Sequence, residues 1–230
     1  MNANGADARA GGPCIGAIGD IHGDFDSARR IMERHLEVPF WLCVGDVADE
    51  RGEYEPLPSP LYWIKGNNEN FDTIASGEFP ENLHHIPNGQ LTEIDGLRIA
   101  GLGGTHAPTM YEMRAADLPH GGGAPRALRN DRRRHFVREE VERCKAAERI
   151  DIFLSHEAPR PFRSARGNDA GKTPINEVLS AVKPRLHLFG HHHRFAESAV
   201  QGVRSICLDL VGTSYLLIDR KTLECQQFTT

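Results

Sequence analysis

Cys14-Ile15-Gly16-Ala17-Ile18-Gly19-Asp20-Ile21-His22-Gly23 is an apolar run that ends in an acid and an imidazole two residues apart, set between glycines. The run reads as a buried strand. In an extended segment residues i and i+2 point the same way, so Asp20 and His22 can converge on one point beyond its carboxyl end. A divalent cation suits that point, and the glycines let the backbone turn tightly there. Taken alone, the pair equally fits a solvated turn after a strand. Later segments repeat the pattern and decide between the two.

Phe40 to Val44 is a second apolar strand, running into Gly45-Asp46-Val47-Ala48-Asp49. Leu61 to Ile64 is a third, running into Lys65-Gly66-Asn67-Asn68-Glu69. Ile150 to Leu154 ends in Ser155-His156-Glu157-Ala158-Pro159, and Arg185 to Phe189 ends in Gly190-His191-His192-His193. Helical stretches fall between them. Asp24 to His35 carries an apolar stripe of Phe25, Ala28, Ile31 and Met32, with Asp24 or Asp26 as its cap. Phe71 to Ala75 is a short helix. Asp131 to Ala147 is a charged one whose buried side is Phe136, Val137 and Val141. Thr173 to Val182 has Pro174 in its first turn. This alternation predicts an α/β fold with a largely parallel sheet, in which ligands lie beyond the carboxyl ends of the strands.

Asn82 to Ile86, Gln90 to Ile94 and Leu97 to Leu102 read as short strands joined by turns at Pro87-Asn88-Gly89 and Asp95-Gly96. Gly103 to Arg126 reads as a long irregular loop. Ala196 to Val200, Val203 to Leu208, Ser214 to Ile218 and Cys225 to Phe228 read as an antiparallel meander.

With 230 residues and no linker in mid-chain, one domain is expected over 13–230, after a small, polar tail over 1–12 that is expected to be disordered. A net charge of −5 argues against a general polyanion binder. The five cysteines are odd in number and show no C-x-x-C spacing, which predicts reduced thiols and a cytoplasmic protein. No apolar stretch approaches a membrane span, and no signal-peptide core precedes the first strand.

The candidate ligands at the five strand ends are Asp20, His22, Asp46, Asn67, His156, His191 and His193. All offer oxygen or nitrogen, a set that suits two divalent transition-metal ions, Mn²⁺ foremost, with Fe, Zn²⁺ or Ni²⁺ as alternatives. Seven donors exceed what one ion with an open position needs. They fit two ions if one carboxylate, most economically Asp46, bridges them. Paired metals are a recurring device for phosphoester cleavage.

The order D-x-H, G-D-x-x-D, G-N-x-E, H, G-H-x-H is carried by Asp20-Ile21-His22, Gly45 to Asp49, Gly66 to Glu69, His156 and Gly190 to His193. It resembles the calcineurin-like metallophosphoesterase superfamily. The resemblance implies a four-layer αββα sandwich and a binuclear metal centre. Asp20, His22, Asp46 and His193 would hold one metal, and Asp46, Asn67, His156 and His191 the other. It further implies a bridging hydroxide that attacks a phosphodiester or phosphomonoester in line, with Asp49 supporting the ligands from outside.

One position departs from the pattern. The family motif is G-N-H-[ED], and its His serves as proton donor to the leaving group. Here that residue is Asn68, an amide that can hydrogen-bond a phosphoryl oxygen but has no proton to give at pH 7. His106 and His192 are the candidates to supply it. Leu97 to Gly104, Arg129 to Val137 and Ile150 to Pro159 look like the catalytic domain of the lariat debranching enzymes. Those carry Cys where this chain has Asp20, so a relative of that branch is expected, with a nucleotide or nucleic acid as the candidate partner. Arg160 and Arg163, close after His156, are candidate phosphate contacts. The arginines Arg126, Arg129, Arg132, Arg133, Arg134 and Arg138 have two readings. One is a solvated helix face paired with Glu139, Glu140 and Glu142; the other is a phosphate-binding patch. The alternative functions are a protein or nucleotide phosphatase and a non-catalytic binding scaffold. A scaffold should have lost ligands, and this chain keeps all seven.

Overall fold

The structure is a computed structural model, and it describes residues 14–121, 130–163 and 167–230. The expected tail over 1–12 lies outside these residues. The strands are β1 (Cys14–Ile18), β2 (Trp41–Cys43), β3 (Leu61–Trp63), β4 (Leu83–His85), β5 (Thr92–Ile94), β6 (Leu97–Leu102), β7 (Thr105–His106), β8 (His135–Phe136), β9 (Ile152–Ser155), β10 (Leu186–Phe189), β11 (Ala196–Val200), β12 (Val203–Cys207), β13 (Ser214–Asp219) and β14 (Cys225–Thr229). The helices are α1 (Phe25–Arg34), α2 (Phe71–Ser76), α3 (Arg138–Lys145) and α4 (Thr173–Val182).

Two six-stranded sheets stack face to face, in the orders β14-β13-β1-β2-β3-β4 and β11-β12-β10-β9-β6-β5. Within the first, β1 to β4 run parallel. Within the second, β6, β9, β10 and β12 run parallel. Ile15, Leu42, Ile64, Ile99, Leu154 and Leu188 fill the space between the sheets. On the outer face of the first sheet, α1 packs Phe25, Ala28, Ile31 and Met32 against Trp41 and Trp63. On the outer face of the second, Val141 of α3 and Ile175, Val178 and Leu179 of α4 cover Phe153. The result is the four-layer αββα sandwich. Strands buried on both faces are apolar throughout, which is why they read as continuous runs in the sequence.

Local chemistry sets the ends of the elements. Asp24 caps α1 by accepting from Ser27 N, and Asn70 caps α2 by accepting from Asp72 N and Thr73 N. Gly77 closes α2 at φ 72°, a left-handed position that glycine adopts without strain.

Three expectations are corrected. The helix expected over Asp131 to Ala147 is confined to Arg138–Lys145; Arg132–Arg134 form a 3-10 turn and His135–Phe136 form β8, paired with β7. The cause is Lys65, whose buried ammonium donates to Arg133 O and His135 O. Those carbonyls are thereby withdrawn from helical bonding. The same pairing places β7 inside the stretch read as an irregular loop, of which 122–126 lie outside the described residues. The closing meander is two hairpins in different sheets: β11–β12 joins β10, and β13–β14 joins β1. Alternation identifies a strand but not its sheet.

A buried polar bridge links three neighbouring strands of the second sheet. His187 lies between Ser155 Oγ, 2.8 Å away, and Ser205 Oγ, 3.1 Å away. Ser155 gives its hydroxyl proton to Glu157 O. The ring therefore donates from Nε2 to Ser155 Oγ, while Ser205 Oγ, which faces Nδ1, also donates toward Val203 O at 3.3 Å. Burial pushes the His187 pKa down to about 3.

Two predictions follow from this packing. A Cβ on Gly16 would stand 2.0 Å from Trp41 Cε3, so Gly16→Ala should lower stability by about 1–3 kcal/mol in chemical denaturation, as overpacking does. Between about pH 6.5 and 3 the unfolded chain protonates His187 and the folded chain does not. Stability of the metal-free protein should therefore fall as pH drops through that window. A His187→Gln variant should fall less steeply, as read from denaturation midpoints at pH 7 and pH 5.

Candidate metal centre

The carboxyl ends of β1, β2 and β3 meet those of β9 and β10 at one edge of the sandwich. Two donor clusters form there: Asp20 with His22 and His193, and Asp46 with His156 and His191. In the first, His193 Nε2 is 3.1 Å from Asp20 Oδ2 and 3.1 Å from His22 Nε2. In the second, His156 Nε2 is 3.1 Å from Asn67 Oδ1 and 3.6 Å from Asp46 Oδ2. Asp46 Oδ2 is also 3.5 Å from His22 Nε2, which links the clusters. All seven residues singled out in the sequence are thus brought together.

Backbone bonds hold the arrangement. Asp46 O accepts from Ile21 N and His22 N, and Asp46 Oδ1 accepts from Asn67 N and Asn68 N at 2.6 and 2.7 Å. Asp20 Oδ2 accepts from His191 N at 3.0 Å. His22, Asp46, His191 and His193 all adopt left-handed backbone, with φ of 48°, 53°, 69° and 47°. Such a conformation costs a non-glycine residue roughly 1–2 kcal/mol, and it concentrates where function demands it. Gly66 and Gly190 let this crowding occur, since a Cβ on either would meet a carboxylate oxygen at 2.0 or 2.3 Å.

The donor chemistry calls for a cation. His156 Nδ1 faces Val44 O at 2.9 Å and donates to it. That bond leaves the Nε2 lone pair aimed at Asn67 Oδ1 and Asp46 Oδ2, so three acceptors converge, as in metal-bound imidazoles. Burial, the largest influence, pushes the His156 pKa down, yet the fields of Asp46 and then Asp20 hold it above the ordinary value. His193 is likewise raised, first by its hydrogen bond to Asp20. Asp46 is held low against its burial by His156 and then His22. In contrast, burial pushes His191 down to about 3, which keeps one ring nitrogen unprotonated with its lone pair free. The donor set therefore fits two metal ions, with no thiolate among the ligands. In the second cluster Asp46 and His156 are buried and His191 is half-buried; in the first, the side chains of His22 and His193 are 32% and 43% exposed.

The remaining candidates spread around this centre. Asn68 turns its amide onto Asp46 Oδ2 at 2.8 Å. Asp49 accepts from Arg51 N and Glu53 N and shapes its own turn. His106 packs its ring against Tyr111 and Phe136, and burial followed by the charge of Lys172 lowers its pKa. His192 packs its ring on Phe162, 4.5 Å between centroids, and edge-on against His191 at 5.3 Å, and burial followed by Arg194 lowers its pKa to about 4. Arg160 pairs with Asp169, and Arg163 is exposed.

Two arginines of the run, Arg133 and Arg138, take the structural reading, with partners other than those expected. Arg133 binds Asp131 and Asp72, and Arg138 binds Glu112 while lying over Tyr111. Arg126 and Arg129 lie outside the described residues.

Glu69 is a supporting residue to which the sequence reading gave no role, although it closes the quoted Gly66-Asn67-Asn68-Glu69 segment. Its Oε1 accepts from Val47 N and Gly66 N, and its Oε2 from Ala48 N and Tyr54 OH. It thus locks the Asp46 and Asn67 loops together. Burial, then Asp46, pushes its pKa up to about 7.

A family model for calcineurin-like phosphoesterases matches residues 15–195 of this chain. The lariat debranching enzyme of Schizosaccharomyces pombe is 26% identical over 199 residues, covering 75% of this chain and 42% of that protein. The lariat debranching enzyme of Entamoeba histolytica is 23% identical over 228 residues, covering 78% and 63%. The chain therefore spans less than two thirds of either relative. Among solved structures, the calcineurin-like phosphoesterase YfkN of Bacillus subtilis superposes with a TM-score of 0.51 at 13% identity, covering 94% of this chain and 88% of that one.

Glu69→Ala would leave three buried N–H groups without partners, at about 1–3 kcal/mol each. The variant should melt well below the wild type and bind metal more weakly, whereas Glu69→Gln, which keeps an acceptor, should lose less of both. Equal melting temperatures for the two variants would count against this locking role.

Proposed function

The chain belongs to the calcineurin-like phosphoesterase family, and from that premise we propose that it is a binuclear metal-dependent hydrolase of phosphoesters, acting on a phosphodiester or phosphomonoester. The observation that carries this reading is the pair of linked donor clusters around Asp46. One ion would be held by Asp20, His22, Asp46 and His193, and the other by Asp46, Asn67, His156 and His191. When bound, such a pair supplies Lewis acidity, which makes hydroxide available for attack at neutral pH and offsets charge on the phosphoryl oxygens. Manganese is the first choice for this oxygen and nitrogen set, with Fe, Zn²⁺ or Ni²⁺ as alternatives.

The chain's own residues fix the geometry. Oδ1 of Asp46 is taken by two backbone donors, so Oδ2 is the atom that would reach both ions. Asn68 steadies that oxygen. His156 is kept in the tautomer that presents Nε2 by its bond to Val44 O. Proton delivery to the leaving group is the weak point. His106 and His192 are the candidate donors, and both have lowered pKa values. At neutral pH they would be poor acids, which favours substrates with a good leaving group.

The debranching-enzyme relatives support a nucleotide or nucleic-acid phosphodiester as the substrate class. Arg163 and Arg160 remain candidate contacts to it. The five unpaired cysteines support a reducing, cytoplasmic location; among the described residues no helix is long and apolar enough to cross a membrane. A vestigial scaffold is disfavoured because the donor set is complete and four of its members hold strained backbone.

The protein stripped of metal should be inactive toward bis-p-nitrophenyl phosphate and p-nitrophenyl phosphate, and Mn²⁺ should restore hydrolysis of at least one. Asp46→Ala should lose both metals by elemental analysis, and Asp20→Ala only one. No activity with any transition metal, together with no bound metal, would sink the enzymatic reading. Retention of both metals by the Asp46 variant would refute the bridging assignment.

A further inference from the structure

The arginines around the centre are largely committed. Arg160 pairs with Asp169, and Arg133 with Asp131 and Asp72. Arg194 donates to Arg163 O and stacks over Phe162. Lys172 is different. It precedes α4, and its backbone is tied to the segment that leaves the ligand His156: Lys172 N donates to Ala158 O, and Lys172 bridges to Pro159. A Cβ on the preceding Gly171 would meet Pro159 O at 2.3 Å, so glycine is what lets the two backbones run this close.

Among the described residues, the one charged group within ion-pair distance of the Lys172 ammonium is Glu157 Oε2, at 3.6 Å. That separation supports an ion pair but is too long for a good hydrogen bond. Glu157 itself is 3% exposed. Its Oε1 accepts from His106 N, while its buried Oε2 has no hydrogen-bond partner. Lys172 is 29% exposed on its side chain, and none of its three donors has an acceptor within hydrogen-bonding distance among the described residues. The charge also acts on His106 and His192. His192 lies between the ligands His191 and His193, and Glu157 directly follows the ligand His156. An ammonium with open donors is therefore held beside the centre by a buried counter-charge.

We propose that Lys172 is the anion-binding residue of the site, donating to a phosphoryl oxygen of substrate or product next to the metal ligands. The proposal rests on the phosphoesterase reading for the identity of the anion. Glu157 holds the ammonium in place without saturating it, which leaves its donors for the ligand. A lysine suits this task as a point charge with freely turning donors.

The test is calorimetric titration of the metal-loaded full chain with inorganic phosphate, for the wild type, Lys172→Met, Lys172→Gln and Lys172→Arg, with metal content and melting temperature measured on each. Loss of one charge-assisted hydrogen bond should weaken phosphate binding by about tenfold or more in the Met and Gln variants. Metal content should not change; the Met and Gln variants should melt somewhat lower because the buried Glu157 loses its counter-charge, and Arg should recover most of both the affinity and the melting temperature. Wild-type affinity in both neutral variants would overturn the proposal. So would a loss of affinity explained by lost metal, or a wild type that binds no phosphate. If phosphate binding depends on Lys172 but neither ester is hydrolysed, the anion site stands and the enzymatic reading falls.

Discussion

Asp46 ties the two halves of the centre together. Its carbonyl accepts from Ile21 and His22, so the end of β1 is fastened to the end of β2. Its Oδ1 accepts from Asn67 and Asn68, which fastens the end of β3. Its Oδ2 is left facing His22 from the first sheet and His156 from the second. A buried carboxylate is costly unless it is paired and hydrogen-bonded, and here nearly every pairing is to another residue of the site. The residue therefore cannot relax without moving three strand ends.

The surrounding shells serve this arrangement. Glu69 collects four donors from the loops on either side of Asp46, and Tyr54 closes that set. Behind His156, the Ser155–His187–Ser205 bridge fixes β9 against its neighbours. The strained backbone of His22, Asp46, His191 and His193 is held by these bonds and by packing. Without a cation the cluster is a convergence of acceptors, and two of its histidines are driven toward protonation in response. That is the electrostatic reason a metal belongs there. The two halves differ in access, since His22 and His193 are partly exposed while His156 is fully buried.

Much of this was legible in the sequence because the motif residues follow strands that are apolar on both faces. Such strands stand out, and ligands after them fall at one edge of a parallel sheet by topology alone. The stripe of α1 was equally plain, with its cap narrowed to Asp24 or Asp26. What failed to show were effects that depend on partners remote in the chain. The arginine run looked like the start of a helix because helical spacing offered it Glu139, Glu140 and Glu142. Asp72 and Glu112, brought in by folding, took Arg133 and Arg138 instead, and Lys65 turned the backbone at Arg133 and His135 away from helix.

By itself, then, the sequence determined the alternation of strands and helices and set seven candidate donors at strand ends, because both are written in local periodicity and in residues two or three apart; the four layers entered only through the family resemblance. Only the tertiary structure decided the rest. It assigned β11–β12 and β13–β14 to opposite sheets, turned Asn68 onto Asp46 Oδ2 and His192 onto Phe162, and set Lys172 against the buried Glu157. The physical reason is common to all three. Sheet membership, side-chain direction and the satisfaction of a buried charge are settled by groups far apart in sequence, and no local pattern records which of them will meet.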